Sequence, residues 1–122
     1  MKDGSFAYDG LDRVLHERAR LSAITALSTA SDGRTFSELK RLCDLTDGNL
    51  NRHLKVLEEA ALVRITKRGG GRTAETRARI TPKGKRAFLQ YLAELERVLM
   101  DARGSEAADE EPTGDGPESA LA

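Results

Sequence analysis

The stretch "DGNLNRHLKVLEEAALVRI", residues 47–65, decides the fold, because it reads as a helix that passes directly into a strand. Leu50, Leu54 and Leu57 fall on one stripe at helical spacing, the mark of a face turned to a core. The opposite side carries Gly48, Asn51, Arg52 and Lys55, with no acid among them. An ordinary surface helix mixes Glu with Lys there, since opposite charges one turn apart support each other. A lean face of amides and cations suits close approach to something anionic.

Thr46, just before this stretch, is a good N-cap, and Asp47 suits the positive end of the helix dipole. Upstream, "TFSELKRLCDL" reads as a shorter helix with Leu39, Leu42 and Cys43 inward and Ser37 as its expected N-cap. Phe36 is expected just before it, where the chain leaves a strand of one or two residues. Asp44 and Leu45 leave room only for a tight turn between two helices, which makes the pair a helix-turn-helix. Before that, residues 11–30 are expected to be one helix, with Leu11, Val14 and Leu15 on an early stripe and Leu21, Ile24 and Leu27 on a later one. Gly33 is expected to end it as a left-handed cap.

Downstream, "LVRITKRGGGRTAETRARIT" alternates like a hairpin: Val63 and Ile65 against Arg64 and Thr66, then Ala78 and Ile80 against Arg77 and Arg79. Three glycines at 69–71 form its tip. They lack the Gly-x-x-x-x-Gly-Lys-Ser/Thr spacing of a phosphate-cradling loop, and no helix follows at once, so nucleotide binding is excluded. Thr81 then caps a last helix with Pro82 at its first position, running to about residue 103. Its apolar residues Phe88, Tyr91, Leu92, Leu95, Val98 and Leu99 make a stripe wider than so small a domain needs. Packing on the first helix explains part of it. A homodimer seam formed with the first helix, from Leu11, Leu15, Phe88, Tyr91, Leu92, Leu95 and Leu99, explains more.

The fold class expected is therefore mainly α with a small β-hairpin wing (α+β): a winged helix-turn-helix with a long C-terminal helix. Its parts are an arm at residues 1–10, the winged domain with its dimerisation helix at 11–103, and an acidic, disordered tail at 104–122.

The formal charge of +0 hides a strong asymmetry. Residues 1–103 hold all 20 Lys and Arg against 14 acids, while residues 104–122 hold six acids and no base. Between residues 64 and 86, nine bases face one acid, Glu75. A localised basic stripe is the electrostatic footprint of a polyanion binder. The tail either solubilises the chain or competes with phosphate for the wing.

At 122 residues the chain has room for one domain with a core, and an aromatic content of 4% leaves little for a deep aromatic pocket. The N-terminus lacks the apolar run of a signal peptide, and no apolar stretch approaches membrane-spanning length, so a soluble, cytoplasmic protein is expected. The single cysteine, Cys43, has no cysteine partner and reads as a small buried hydrophobe; a redox role would need exposure. His16 and His53 lie far apart with no ligand cluster, so both read as structural and no metal or other cofactor is expected. No paired carboxylates or nucleophile-and-base set points to an enzyme.

The residues "RLSAITALS", "TFSELKRLCDLTDGNLNRHLKVLEEAALVRI" and "RARITPKGKRAF" together resemble the bacterial and archaeal winged-helix transcriptional regulators related to the MarR and ArsR groups. The resemblance spans residues 11–99. It implies that the helix after Thr46 enters the DNA major groove with Gly48, Asn49, Asn51 and Arg52 facing bases, that the hairpin follows the backbone or minor groove, and that the protein is a dimer on a pseudo-palindromic operator. The cysteine and histidine pairs that hold metal in the ArsR group are absent.

The residues themselves support this chemistry. Asn pairs bidentately with adenine and Arg with guanine, each discriminating by about 1–3 kcal/mol. Those roles fall to Asn51 and Arg52. Gly48 lets the helix start approach a phosphate. Lys55, Arg68, Arg72, Arg77 and Arg79 are expected on phosphates or in the minor groove, giving affinity rather than sequence choice. The rival reading is a winged helix that binds a protein, whose recognition face would be acidic or apolar.

Overall fold

The computed structural model describes residues 3–108. Four helices and a three-stranded antiparallel sheet follow one another as α1 (Arg18–Ser28), β1 (Arg34–Thr35), α2 (Phe36–Cys43), α3 (Asp47–Glu59), β2 (Val63–Arg68), β3 (Glu75–Ile80) and α4 (Pro82–Ala108). This is the winged helix-turn-helix expected, with the short strand before α2 and the hairpin wing in place. No helix among the described residues is long and apolar enough to cross a membrane.

The first helix starts later than its apolar stripe suggests. Residues 11–17 form turns, because Asp12 Oδ1 accepts from the backbone N–H groups of Val14 (2.7 Å) and Leu15 (3.3 Å). A short carboxylate that takes up neighbouring amides competes with the helix for them. α1 begins only after Glu17, whose side chain caps it by accepting from Arg20 N at 2.8 Å. Burial disfavours the Glu17 carboxylate, but that backbone N–H and the neighbouring His53 and Arg20 side chains outweigh it and hold its pKa below the usual value.

Gly33 does not cap α1, which ends at Ser28 with Thr29 as its cap. It sits instead at φ +82 against β3, where a Cβ would collide with the Ala78 carbonyl oxygen. The strand pairing Arg34↔Ala78 and Thr35↔Arg77 depends on that approach.

The N-cap of α2 is Thr35, not Ser37. Thr35 Oγ1 accepts from Glu38 N, and Glu38 reaches back to Thr35 N, both at 3.1 Å. Only Thr35 has a glutamate three residues on, which completes a reciprocal capping box. Phe36 is therefore the first helical residue rather than the last of the connection. Asp44 turns the chain in the left-handed region (φ 55), and Thr46 caps α3 by accepting from Asn49 N at 3.2 Å.

The sheet order is β1-β3-β2, with Val63 opposite Ile80 and Ile65 opposite Ala78 on the inner face. The core joins Leu15, Ile24 and Leu27 to Leu39, Leu50, Leu54 and Leu57, with Val63, Ala78, Phe88 and Tyr91 closing it. Cys43 is buried in the same cluster, and burial pushes its thiol pKa up. Tyr91 keeps its hydroxyl satisfied at depth by pairing with His16 Nδ1 at 2.7 Å.

Thr81 starts α4 as expected: its hydroxyl accepts from Gly84 N (2.9 Å) and donates to the Ala61 carbonyl (2.8 Å). The helix reaches Ala108, past the expected end at 103. The tail expected over residues 104–122 otherwise lies, from 109 onward, outside the described residues. The N-terminal arm lies along the second half of α4. Gly10 N donates to Glu94 Oε2 (3.0 Å), Tyr8 donates to Asp101 Oδ2 (2.6 Å), and the Arg97 guanidinium stands 5.6 Å from the Tyr8 ring centroid. The bond to Asp101 pushes the Tyr8 pKa above its ordinary value.

Candidate nucleic-acid interface

α3 is held from beneath. Leu50, Leu54 and Leu57 are in the core, and His53 is buried beside them. Arg20 Nη1 donates to His53 Nδ1 at 3.1 Å, with Glu17 Oε1 3.8 Å from the same atom. Arginine has no acceptor, so that geometry makes the ring nitrogen the acceptor and ties α3 to α1. His53 is thus structural.

The outer face of α3 is as bare as the sequence suggests. Thr46, Gly48, Asn49, Asn51, Arg52 and Lys55 are all exposed. A Cβ built on Gly48 meets no atom within 4 Å among the described residues. Arg52 Nη2 donates to Asn49 Oδ1 at 3.2 Å, so two of the polar groups restrain each other one turn apart. Lys40 on α2 pairs with Asp47 at 2.8 Å across the helix-turn-helix, leaving the carboxylate at the start of α3 partly neutralised.

The wing divides the basic residues into three settings. Arg68 and Arg72 are exposed near its tip. Arg64 and Arg79 face each other across the strands on the outer side. Like charges directly opposite destabilise a sheet, so this pair favours an anion between or above them. Arg77 is half-buried and already engaged: its guanidinium lies 3.3 Å from the Asp32 carbonyl, 3.5 Å from that of Gly33 and 3.4 Å from the Glu75 carboxylate. It anchors the wing to the loop before β1, and its role is structural before it is electrostatic.

α3 and the wing meet along a cleft of about 520 Å³. Asn51, Lys55 and Glu58 of α3 line one side and Lys67 and Thr76 of the wing the other, over a floor of Phe36, Leu54 and Ile65. Arg64 and Lys67 are the cations that the sequence reading passed over. Lys67 carried a signal nonetheless: it stands at an inward position of the alternation Val63, Ile65, Lys67, where a charge has no place unless the strand has run beyond the core.

The residues expected in the dimer seam do not form one surface. Leu15, Phe88 and Tyr91 are inside the protomer, at 0%, 8% and 1% exposure, and cannot touch a partner. Leu11 and Leu95 pack half-buried against the same core. Leu92 and Leu99 are exposed, and with them Leu89 and Met100, which the sequence reading missed.

A helix-turn-helix whose second helix presents bare amides and cations beside a basic hairpin defines the winged helix DNA-binding class. The chain belongs to the winged helix DNA-binding domain family, whose model matches residues 19–99. Among solved structures it is similar to the transcriptional regulator homologue of Pyrococcus horikoshii OT3, at 30% identity and a TM-score of 0.69, covering 75% of this chain and 89% of that one. It is similar as well to the M. tuberculosis transcriptional regulator MosR, solved in complex with DNA, at 25% identity and a TM-score of 0.61, covering 81% of this chain and 71% of that one. A MarR family regulator shares the fold, with a TM-score of 0.60 at 20% identity. An uncharacterised protein of Methanocaldococcus jannaschii is 43% identical over 60 residues, 49% of this chain; the match spans 65% of that relative's length.

Proposed function

We propose that this chain is a sequence-specific, double-stranded DNA-binding transcriptional regulator that acts as a homodimer on a pseudo-palindromic operator. The observation that carries the reading is the α3 face: exposed amide and guanidinium groups with no acid among Gly48, Asn49, Asn51, Arg52 and Lys55, next to the cations of the wing. Asn51 and Arg52 read base edges. Lys55, Lys67, Arg68, Arg72 and Arg79 hold phosphates, with Arg77 fixing the wing's angle. The transcriptional regulators similar to this chain, one of them solved with DNA, support the same reading.

The dimer seam is the outer face of α4. Lys85, Leu89, Leu92, Glu96, Leu99 and Arg103 recur at alternating spacings of four and three, the repeat that keeps one seam facing a partner helix. An antiparallel pair has one register in which all central contacts agree: Leu89 against the partner's Leu92, and Lys85 against the partner's Glu96. Two leucine layers then lie between two ion pairs.

Binding to a duplex pool by anisotropy, followed by selection of preferred sites, tests the reading. Affinity should fall linearly with log salt, and the selected sites should contain two related half-sites. A chain that shows no salt-dependent duplex binding is not this regulator.

A further inference from the structure

The length of α4 decides where residues 109–122 can act. This segment carries five acids, Asp109, Glu110, Glu111, Asp115 and Glu118, and no base. The chain's cations concentrate at residues 64–86, and Lys83, Lys85 and Arg86 stand exposed at the start of α4. With about 1.5 Å of rise per residue, Ala108 lies roughly 33–38 Å along the helix from those three. Asp109, Glu110 and Glu111 reach no more than about 10 Å beyond Ala108 even when fully extended. Those three acids therefore stay far from their own protomer's basic segment, and only Asp115 and Glu118 have chain enough to approach it.

An antiparallel partner reverses the geometry. With Leu89 against the partner's Leu92, residue 98 of one chain is level with residue 83 of the other. Ala108 then stands only about 15–20 Å along the axis from the partner's Lys83, Lys85 and Arg86, half the distance within its own chain. The chain therefore continues past Ala108 from a point close to where the partner's wing feeds into the partner's α4.

We propose that residues 109–122 shield the basic surface of the opposite protomer, competing in trans with DNA phosphate. This rests on the homodimer reading above. Charge complementarity selects the occupant: five acids without a base meet nine cations with one acid, Glu75. Tethering through the seam gives even weak attraction a high effective concentration. The shield acts hardest on random DNA, whose binding is almost wholly electrostatic, and least on an operator held through base edges. Added salt removes it.

Two measurements test this. In the first, the full chain and a chain ending at Ala108 are titrated with random duplex at low salt, each also carrying Leu89→Glu with Leu92→Glu to part the dimer. Both leucines are exposed, so the folded protomer should survive, as circular dichroism will confirm. Truncation should tighten binding several-fold in the dimer and leave the monomer unchanged. An equal gain in the monomer places the shield within one chain, and no gain in the dimer abolishes it.

The second measurement needs no seam variant. Chains with Cys43→Ala and a spin label on Glu110→Cys are mixed with unlabelled ¹⁵N chains. Amides around the unlabelled partner's Lys83 and Arg86 should broaden; if they stay sharp in a confirmed mixed dimer, the proposal is wrong. Sedimentation of the full chain separates the two failures. A monomer overturns the dimer reading and the shield together, whereas a dimer indifferent to truncation overturns only the shield.

Discussion

α3 and α4 each turn an apolar side to the core, Leu50, Leu54 and Leu57 from α3 and Phe88 and Tyr91 from α4, yet their outer faces are opposites. Outside α3 stand Gly48, Asn49, Asn51, Arg52 and Lys55; outside α4 stand Leu89, Leu92, Leu99 and Met100. Inward faces are alike because a core asks only for apolar volume. The outward faces carry the functional information. A face of donors with carboxylates only toward its two ends suits the base edges and phosphates of DNA, whereas leucines at 39–64% exposure suit another apolar helix.

The largest effect should come from breaking the α4 face. Leu89→Glu with Leu92→Glu should leave the protomer folded but monomeric, and operator affinity should drop by about 100-fold or more as the two half-sites lose their linkage. Sedimentation and anisotropy on the same samples check it. A variant that stays dimeric would move the seam elsewhere.

Next in size is the α3 face. Arg52→Ala should cost about 1–3 kcal/mol on the operator, roughly 5- to 150-fold, and much less on random duplex. Equal losses on both would make Arg52 a phosphate contact and blur the contrast between reading and holding. Arg72→Ala should be smaller and uniform, a few-fold on any duplex, with the salt slope reduced by about one contact. Arg77→Ala should behave differently from Arg72→Ala, lowering stability as well as binding, because its guanidinium lies against the Asp32 and Gly33 carbonyls.

The same contrast explains what was legible in the sequence. Thr46, the Asp44–Leu45 turn, the alternating wing and the Thr81–Pro82 start are local signals, and each stands where its chemistry says. The start of α1 was hidden because the stripe of Leu11, Val14 and Leu15 is apolar whether or not the backbone is helical, and Asp12 took the amides. Thr35 was distinguishable from Ser37 by Glu38 alone. The choice between Phe88–Tyr91 and Leu89–Leu92 as the outward pair was not local at all. α4 is apolar around much of its circumference, and which side turns inward is set by the turns before α1, which meet it through Leu15 and the His16–Tyr91 hydrogen bond. Arg77 reads like its neighbours in sequence; only the fold brings the residue 32–33 carbonyls to it.

The smallest effect should be the most discriminating, since its two halves have opposite signs. Gly48 occupies the first turn of α3, does not lie among the positive-φ residues, and has open space where a Cβ would be. In the free protein Gly48→Ala removes a flexible residue from a helix and should stabilise it by about 0.4–1 kcal/mol, read as a higher denaturation midpoint at unchanged m-value. On DNA the added methyl stands between the helix start and the phosphate it approaches, so operator affinity should fall a few-fold despite the gain in stability. The corresponding change at Gly104, which has equally open space on α4, should stabilise without weakening DNA binding. If Gly48→Ala stabilises and leaves binding intact, the start of α3 does not approach the backbone, and the lean face owes its glycine to something other than DNA.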